Sequence, residues 1–149
     1  MQLLDHGGKL RLEILGSNIE EDFVITDGKW HHLAAIWENS NGNIAIFADG
    51  QILKDDTGKG KDKEVSKAGI LYIGHEQTTS YGYEVHADKM YLGVMTEFNI
   101  WNTSFTKQQI MNLNATCQSD GQGNVLSWRK DILQGINGNV YKQSPSTCV

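Results

Sequence analysis

The stretch DGKWHHLAAIWENSNGNIAIFADG, residues 27–50, decides the fold, because it encodes two strands and the turns around them. Its first run, Lys29–Glu38, is apolar on both faces, which is typical of a strand that lies centrally in a sheet covered on both sides. The polar residues 39–43 predict a turn, and Ile44–Ala48 predicts the strand that returns beside the first. An Asp-Gly pair stands at each end of the stretch, and both residue types tolerate the positive φ of tight turns.

The rest of the chain repeats this pattern of short strands between turns. Lys9–Leu15 alternates strictly between polar and apolar side chains, which indicates a strand with one solvated face. Strands at intervals of roughly 8–12 residues are typical of an antiparallel sandwich, so the sequence predicts an all-β fold in one domain, residues 1–149. The further predicted strands are Asp22–Thr26, Gly69–Gly74, residues 91–102 and an edge strand, Asn124–Trp128.

One segment, Thr106–Leu113, is predicted to be helical. Thr106 and Gln109 have the spacing of a capping box, in which each side chain bonds the backbone N–H of the other residue. Ile110 and Leu113 then lie three residues apart on the face that would pack against the protein.

Charge and hydropathy argue against two classes of partner. The formal net charge is -5, whereas nucleic-acid-binding domains need clustered Lys and Arg. The lysine-rich segment 54–67 is interleaved with acids, so we interpret it as a solvated loop rather than an anion site. No apolar run approaches the ~18 residues of a membrane span, and the N-terminus lacks a signal-peptide pattern. The chain is therefore expected either to be intracellular or to come from a longer secreted protein.

The two cysteines, Cys117 and Cys148, both lie in the last third of the chain. An even count in the tail favours a disulfide that fastens the tail to the body, and with it an oxidising compartment. The alternative is two unrelated buried thiols.

Three groups of residues resemble the pentraxin and laminin-G superfamily. Residues 30–50 share its W-H-H strand, ending in W, and the F-x-D-G hairpin. LYIGHEQTT, residues 71–79, and FNIWNTSFTKQQI, residues 98–110, resemble the pentraxin pattern L-x-L-G-Q-E-Q-D-S, then N-x-W-D, then a short helix. TCQSDGQGNVLSW, residues 116–128, is similar to the pentraxin-like modules of adhesion receptors and neuronal pentraxins. The likeness runs from about Leu3 to Cys148.

The resemblance implies a concanavalin A-like jelly-roll sandwich in an extracellular protein. It implies a non-catalytic recognition or adhesion module that binds a carbohydrate, a lipid headgroup or a protein, and that can form homo-oligomers. The alternative is a structural or oligomerisation domain without a small ligand. The family's first strands would precede Met1, so the domain is expected to be incomplete at its N-terminus. Ala34 stands where the family has a Cys, so the family's internal disulfide cannot form here.

The resemblance also implies a calcium loop, with several changes. Glu76 and Gln77 match two family ligands, whereas Thr78 replaces an Asp and Lys89 replaces a later Gln. Calcium takes six to eight oxygen ligands, several of them carboxylates. Two interpretations stay open: weak calcium binding, in which nearby acids replace the family's later acid, or a loop held by its own hydrogen bonds. The candidate calcium ligands are Glu76, Gln77, Glu84 and Asp88.

We predict no catalytic residue. His31 and His32 are neighbours on a strand and point to opposite faces, and no zinc spacing is present. A jelly-roll glycoside hydrolase, the remote alternative, needs two carboxylates across a cleft, whereas Glu97 stands alone on its predicted strand. Two sequons, at Asn102 and Asn114, are candidate glycosylation sites if the protein is secreted through a eukaryotic pathway.

Overall fold

The computed structural model describes residues 2–5, 7–66, 71–74, 90–116 and 122–132. The chain divides into two compact units, residues 1–93 and residues 94–149. Within the described residues, no helix has the length and apolar character that crossing a membrane requires. The prediction of one domain over the whole chain stays a prediction.

The first unit contains two antiparallel three-stranded sheets. Its strands are β1 (Gln2–Asp5), β2 (Lys9–Ile14), β3 (Ser17–Asp22), β4 (Leu33–Glu38), β5 (Asn43–Ala48) and β6 (Gln51–Asp56). One sheet has the order β1-β2-β3 and the other the order β4-β5-β6, so strands that follow each other in the chain are paired. This confirms the hairpin that residues 27–50 predict.

The two sheets share one apolar core. The strict alternation of β2 is confirmed, because its apolar side chains are buried and its polar ones are not. In the second sheet, β5 is buried on both faces, since Ile44 and Ile46 point one way while Ala45 and Phe47 point the other. Each large apolar side chain buried in this way stabilises the fold by about 1.5–3 kcal/mol. The core cluster is Leu10, Leu12, Ile14, Ile19, Ile44 and Ile46.

The central strand differs from the one predicted. The run Lys29–Glu38 forms a strand only from Leu33 onward, and all six residues of β4 are half-buried. The buried middle strand is β5, because it pairs with β4 on one side and β6 on the other. The predicted loop at residues 54–67 correspondingly begins only after Asp56, the end of β6.

The predicted strand Asp22–Thr26 is wrong. The strand in this part of the chain is β3, which ends at Asp22; residues 23–26 belong to no strand, although the Phe23 N–H still donates to Gly8 O at 3.2 Å. Leu15 and Gly16 both adopt positive φ, 51° and 79°, and this tight turn folds the polar residues after it back along β2. Turn geometry therefore places β3, although its side chains carry little strand signal.

The strands predicted at Gly69–Gly74 and at residues 91–102 are not formed in the described residues. Residues 71–74 belong to no sheet. Within residues 91–102, the strand pairing is a single bridge between Ile100 and Leu126. Glu97 has a φ of 52°, a left-handed conformation through which an extended strand does not continue. The predicted edge strand Asn124–Trp128 likewise contributes only this bridge and leads into a π-helical turn, Trp128–Ile132.

The helix prediction is confirmed in the second unit. Helix α1 spans Lys107–Thr116, so it begins one residue later and ends three residues later than predicted. The Thr106 backbone N–H donates to Gln109 Oε1 at 2.8 Å, and the Gln109 N–H donates to Thr106 Oγ1 at 3.3 Å. Ile110 is buried on the packed face. The capping box therefore fixes where the helix begins.

The loop after β6 packs on the turn between β4 and β5 through backbone atoms. The Gly58 N–H donates to Asn41 O at 3.1 Å and the Lys59 N–H donates to Gly42 O at 2.9 Å. The Trp37 indole N–H donates to Lys59 O at 3.0 Å. A Cβ on Gly42 would lie 2.6 Å from the Gly58 carbonyl carbon, so only glycine fits there.

We expect Gly42→Ala to destabilise the protein much more than Gly58→Ala. Both glycines have positive φ, 71° and 72°, and each replacement costs about 1–2 kcal/mol for the left-handed backbone. Only Gly42 also meets backbone atoms, and relieving that clash adds about 1–3 kcal/mol. Denaturant unfolding of both variants measures the difference, and equal losses would contradict this account of the packed loop.

Candidate functional site

The predicted metal and disulfide residues lie outside the residues that the structure describes. The calcium candidates Glu76, Gln77, Glu84 and Asp88 all fall in residues 75–89, and Cys117 and Cys148 fall in the segments 117–121 and 133–149. Their roles stay predictions. Within the described ranges, no group of three His, Cys, Asp or Glu side chains is placed to hold a metal ion.

Both ends of the segment that carries the calcium candidates are described, and a backbone hydrogen bond joins them. The Tyr91 N–H donates to Gly74 O at 2.6 Å, so these two residues, which flank the segment in the sequence, lie together. Gly74 has a φ of 94°, which favours glycine. The Tyr91 phenol folds back beside Gly93, because a Cβ on Gly93 would lie 2.6 Å from the Tyr91 hydroxyl. We call this arrangement of Gly74, Tyr91 and Gly93 the loop base.

Apolar side chains around the loop base are open to solvent. Leu92 is 89% exposed, and its neighbours share this exposure to a smaller degree. Burying such side chains against a partner releases free energy in proportion to their apolar area. The loop base therefore offers a contact surface beside the segment that carries the candidate ligands. The exposed residues are Leu71, Ile73, Met90, Tyr91 and Leu92.

A second polar arrangement, the Asp27–His31–Asp49 cluster, lies beside β4. His31 Nδ1 lies 2.8 Å from Asp49 Oδ2, and His31 Nε2 lies 3.0 Å from Asp27 Oδ1. The His31 side chain is only 13% exposed. Its ring donates to both carboxylates only when it is protonated. The hydrogen bond to Asp49, and then the one to Asp27, raise the pKa of His31.

The cluster ties the segment before β4 to the turn between β5 and β6. Asp49 is the first residue of that turn, with a φ of 50°. Its Oδ1 accepts from the His32 N–H at 2.9 Å, and its own N–H donates to His32 O at 2.8 Å. Asp27 sits at the predicted turn, and the bonds from His31 and from the Lys29 N–H lower the pKa of Asp27. The Asp-Gly pairs at the two ends of residues 27–50 are therefore joined through one imidazole.

The chemistry of this cluster is structural. A catalytic histidine needs one ring nitrogen free to take a proton from a nucleophile, and here carboxylates face both nitrogens. His32 differs from its neighbour, since burial lowers the pKa of its ring and its Nδ1 is buried without a partner. Glu97 is the carboxylate that was considered for a glycoside hydrolase. Its Oε1 lies 3.5 Å from Nη2 of Arg129, with which it forms an ion pair.

The two sequons lie in different surroundings in the second unit. Asn102 is exposed and precedes α1, and its side chain and backbone both bond Asn124. Asn114 is half-buried within α1. The sequence alone does not show that the surroundings of the two sequons differ. The hydrogen bonds between Asn102 and Asn124 join residues that are far apart in the chain.

We expect stability to fall on the alkaline side through His31. Because folding raises the pKa of His31, its bonds stabilise the fold below about pH 6.5, the pKa of a free histidine, and this contribution is lost as the pH rises through the folded-state pKa. In His31→Gln the alkaline decline should disappear, with a loss of about 1–2 kcal/mol at about pH 6.

Unfolding free energies at pH values from about 5 to about 9 measure this effect. The comparison isolates His31 because His32 is present in both proteins, and its lowered pKa acts in the opposite direction, reducing stability as the pH falls below about 6.5. Lys29, 3.1 Å from Asp27, is also unchanged. Identical pH profiles for wild type and variant would refute the assignment.

Comparison with known proteins places the chain within one family. Residues 2–143 match the sequence model of the Pentaxin family. Neuronal pentraxin-2 of Homo sapiens is 30% identical over 124 residues, which are 83% of this chain and 28% of that protein. The Rattus norvegicus protein named Sushi, von Willebrand factor type A, EGF and pentraxin domain-containing protein 1 is 31% identical over 123 residues, 82% of this chain and 3% of that protein. The chain thus spans under a third of these relatives.

A solved structure supports the fold class. The native heptameric SAP-like pentraxin from Limulus polyphemus matches with a TM-score of 0.70 and 25% identity, over 86% of this chain and 61% of that chain. Together with the two antiparallel sheets and the single short α-helix of the described residues, this match confirms the predicted all-β, jelly-roll class.

Proposed function

The chain belongs to the pentraxin family, and on that premise we propose that it is a non-catalytic, extracellular recognition module for a carbohydrate, a lipid headgroup or a protein. The family match over residues 2–143 carries this proposal, because pentraxins are non-catalytic, ligand-binding, oligomeric proteins. The occupied nitrogens of His31 agree with a non-catalytic role. The exposed apolar side chains at the loop base agree with a contact surface.

Calcium binding is part of the proposal, with low affinity. Glu76, Gln77, Glu84 and Asp88 would supply three carboxylates and an amide oxygen, which are the donors that calcium prefers. The donor chemistry fits the ion, but the ammonium of Lys89 stands where the family has an oxygen, and its charge opposes the cation. When bound, calcium would supply a positive centre for anionic or hydroxyl groups of a ligand.

The tail cysteines complete the proposal for an oxidising environment. Cys117 and Cys148 are proposed to form a disulfide. This bond would lower the conformational entropy of the unfolded chain and fasten the tail to the domain. Extracellular relatives are consistent with this chemistry. Peptide mapping under non-reducing conditions would show the linked peptides, and free thiols in the secreted protein would overturn the pairing.

We expect Lys89→Gln to strengthen calcium binding. Replacing a cationic side chain near a doubly charged ion with an oxygen donor removes repulsion of about 2 kcal/mol in a water-like dielectric, roughly a thirtyfold change in affinity. Thermal melting during a calcium titration measures the gain, since bound ligand raises stability as RT ln(1 + [L]/Kd).

Glu76→Gln in the Lys89→Gln background is the matched control, and it should return the titration towards that of the wild type. If the melting temperature of both the wild type and Lys89→Gln stays flat up to millimolar calcium, the calcium proposal is wrong. Submicromolar binding by the wild type would contradict its low affinity.

Two binding assays test recognition, each with and without calcium. The protein is applied to a glycan array, and separately it is mixed with anionic and with zwitterionic lipid vesicles. Saturable binding without turnover of any glycan is the expected result. Glycan cleavage would overturn the non-catalytic assignment. If nothing binds while light scattering shows a defined assembly, the alternative of a structural or oligomerisation domain holds; the heptameric Limulus polyphemus pentraxin gives this alternative its support.

A further inference from the structure

The two sequons of the second unit differ in access. Asn102, Thr103 and Ser104 are all exposed, in the connection between the bridged Ile100 and helix α1. Asn114 is half-buried inside α1, and it takes part in a contact of its own. A bulky glycan is compatible with an exposed connection, whereas at a half-buried helical side chain it has to displace packing.

The hydrogen bonds of Asn102 fix the orientation of its side-chain amide. Its backbone N–H donates to Asn124 at 3.0 Å, and because a backbone N–H can only donate, the atom it meets must be the carbonyl oxygen Oδ1 of Asn124. The amide nitrogen of Asn124 therefore occupies the other position and donates to Asn102 Oδ1 at 2.7 Å. This leaves Asn102 Nδ2 on the side of the amide away from Asn124.

We propose that Asn102 carries an N-linked glycan and that Asn114 does not, an inference that rests on the secretion included in the proposed function. Asn102 Nδ2 forms a bond to C1 of a polyprenyl-diphosphate-linked oligosaccharide. The bond between C1 and the phosphate oxygen breaks, the diphosphate leaves with the electron pair, and Nδ2 gives one proton to a base of the transferase. Asn102 Oδ1 is untouched, so the modified residue keeps its bond from Asn124 in the folded unit.

The glycan also constrains assembly. The face that contains Asn102 and Asn124 must remain open to solvent in the modified protein. Any contact between copies of this chain therefore uses other surfaces.

The test expresses the full chain in a eukaryotic secretory host behind a leader supplied by the vector. The matched variants are Ser104→Ala and Thr116→Ala, each of which removes the acceptor hydroxyl of one sequon and leaves its Asn in place. Ser104→Ala also preserves the pairing of Asn102 with Asn124 and so separates lost glycosylation from lost folding. Peptide-N-glycosidase digestion and mass spectrometry then locate the Asn that the enzyme converts to Asp.

Wild type and Thr116→Ala should both lose a glycan on digestion, with conversion mapped to Asn102, while Ser104→Ala should be secreted without one. Conversion at Asn114, or a secreted wild type with no conversion at Asn102, overturns the inference. A chain that binds no ligand can still be modified at Asn102, because the leader comes from the vector, and an unmodified chain can still bind. The two proposals therefore fail separately.

Discussion

The packing of β2 and β3 against β5 is the constraint on which the first unit depends. Leu10, Leu12, Ile14 and Ile19 from one sheet meet Ile44 and Ile46 from the other, and together they form the buried core cluster. Each sheet alone would leave its apolar face in water, so packing the two faces together stabilises both sheets. Because β5 is buried on both faces, its side chains have the least freedom to change.

Around this apolar contact, polar groups determine where the chain turns. Asp49 combines a left-handed backbone with a carboxylate that bonds both His31 and the His32 N–H, so a single residue sets a turn and anchors the segment before β4. Gly42 also holds a connection in place. Because it has no side chain, the loop after β6 can pack directly against its backbone. The strands and their turns therefore maintain the frame of the first unit.

Local signals were sufficient for part of this architecture. The period of β2, the hairpin of β4 and β5 and the capping box of Thr106 and Gln109 each depend on residues within a few positions of one another, and each was predicted correctly. The sequence does not predict β3, because the position of this strand depends on the positive φ of Leu15, which γ-branched side chains seldom adopt. Residues 91–102 are predicted to be a strand because their side chains alternate in the sequence. The left-handed backbone conformation of Glu97, which ends any extended strand, leaves no such signal. Family motifs supplied the candidate calcium ligands, but no short-range signal could find the Asn102–Asn124 pairing.

The bond from the Tyr91 N–H to Gly74 O has a consequence for how the family can vary. It joins main-chain atoms only, so it persists whatever side chains are exchanged between its two ends. Natural selection can thus rewrite the enclosed residues, lengthen them or change their charge, while the attachment to the scaffold stays the same. An exchange of side chains at Gly74 or Tyr91 themselves would also leave the two bonded atoms unchanged, as long as the backbone keeps its path.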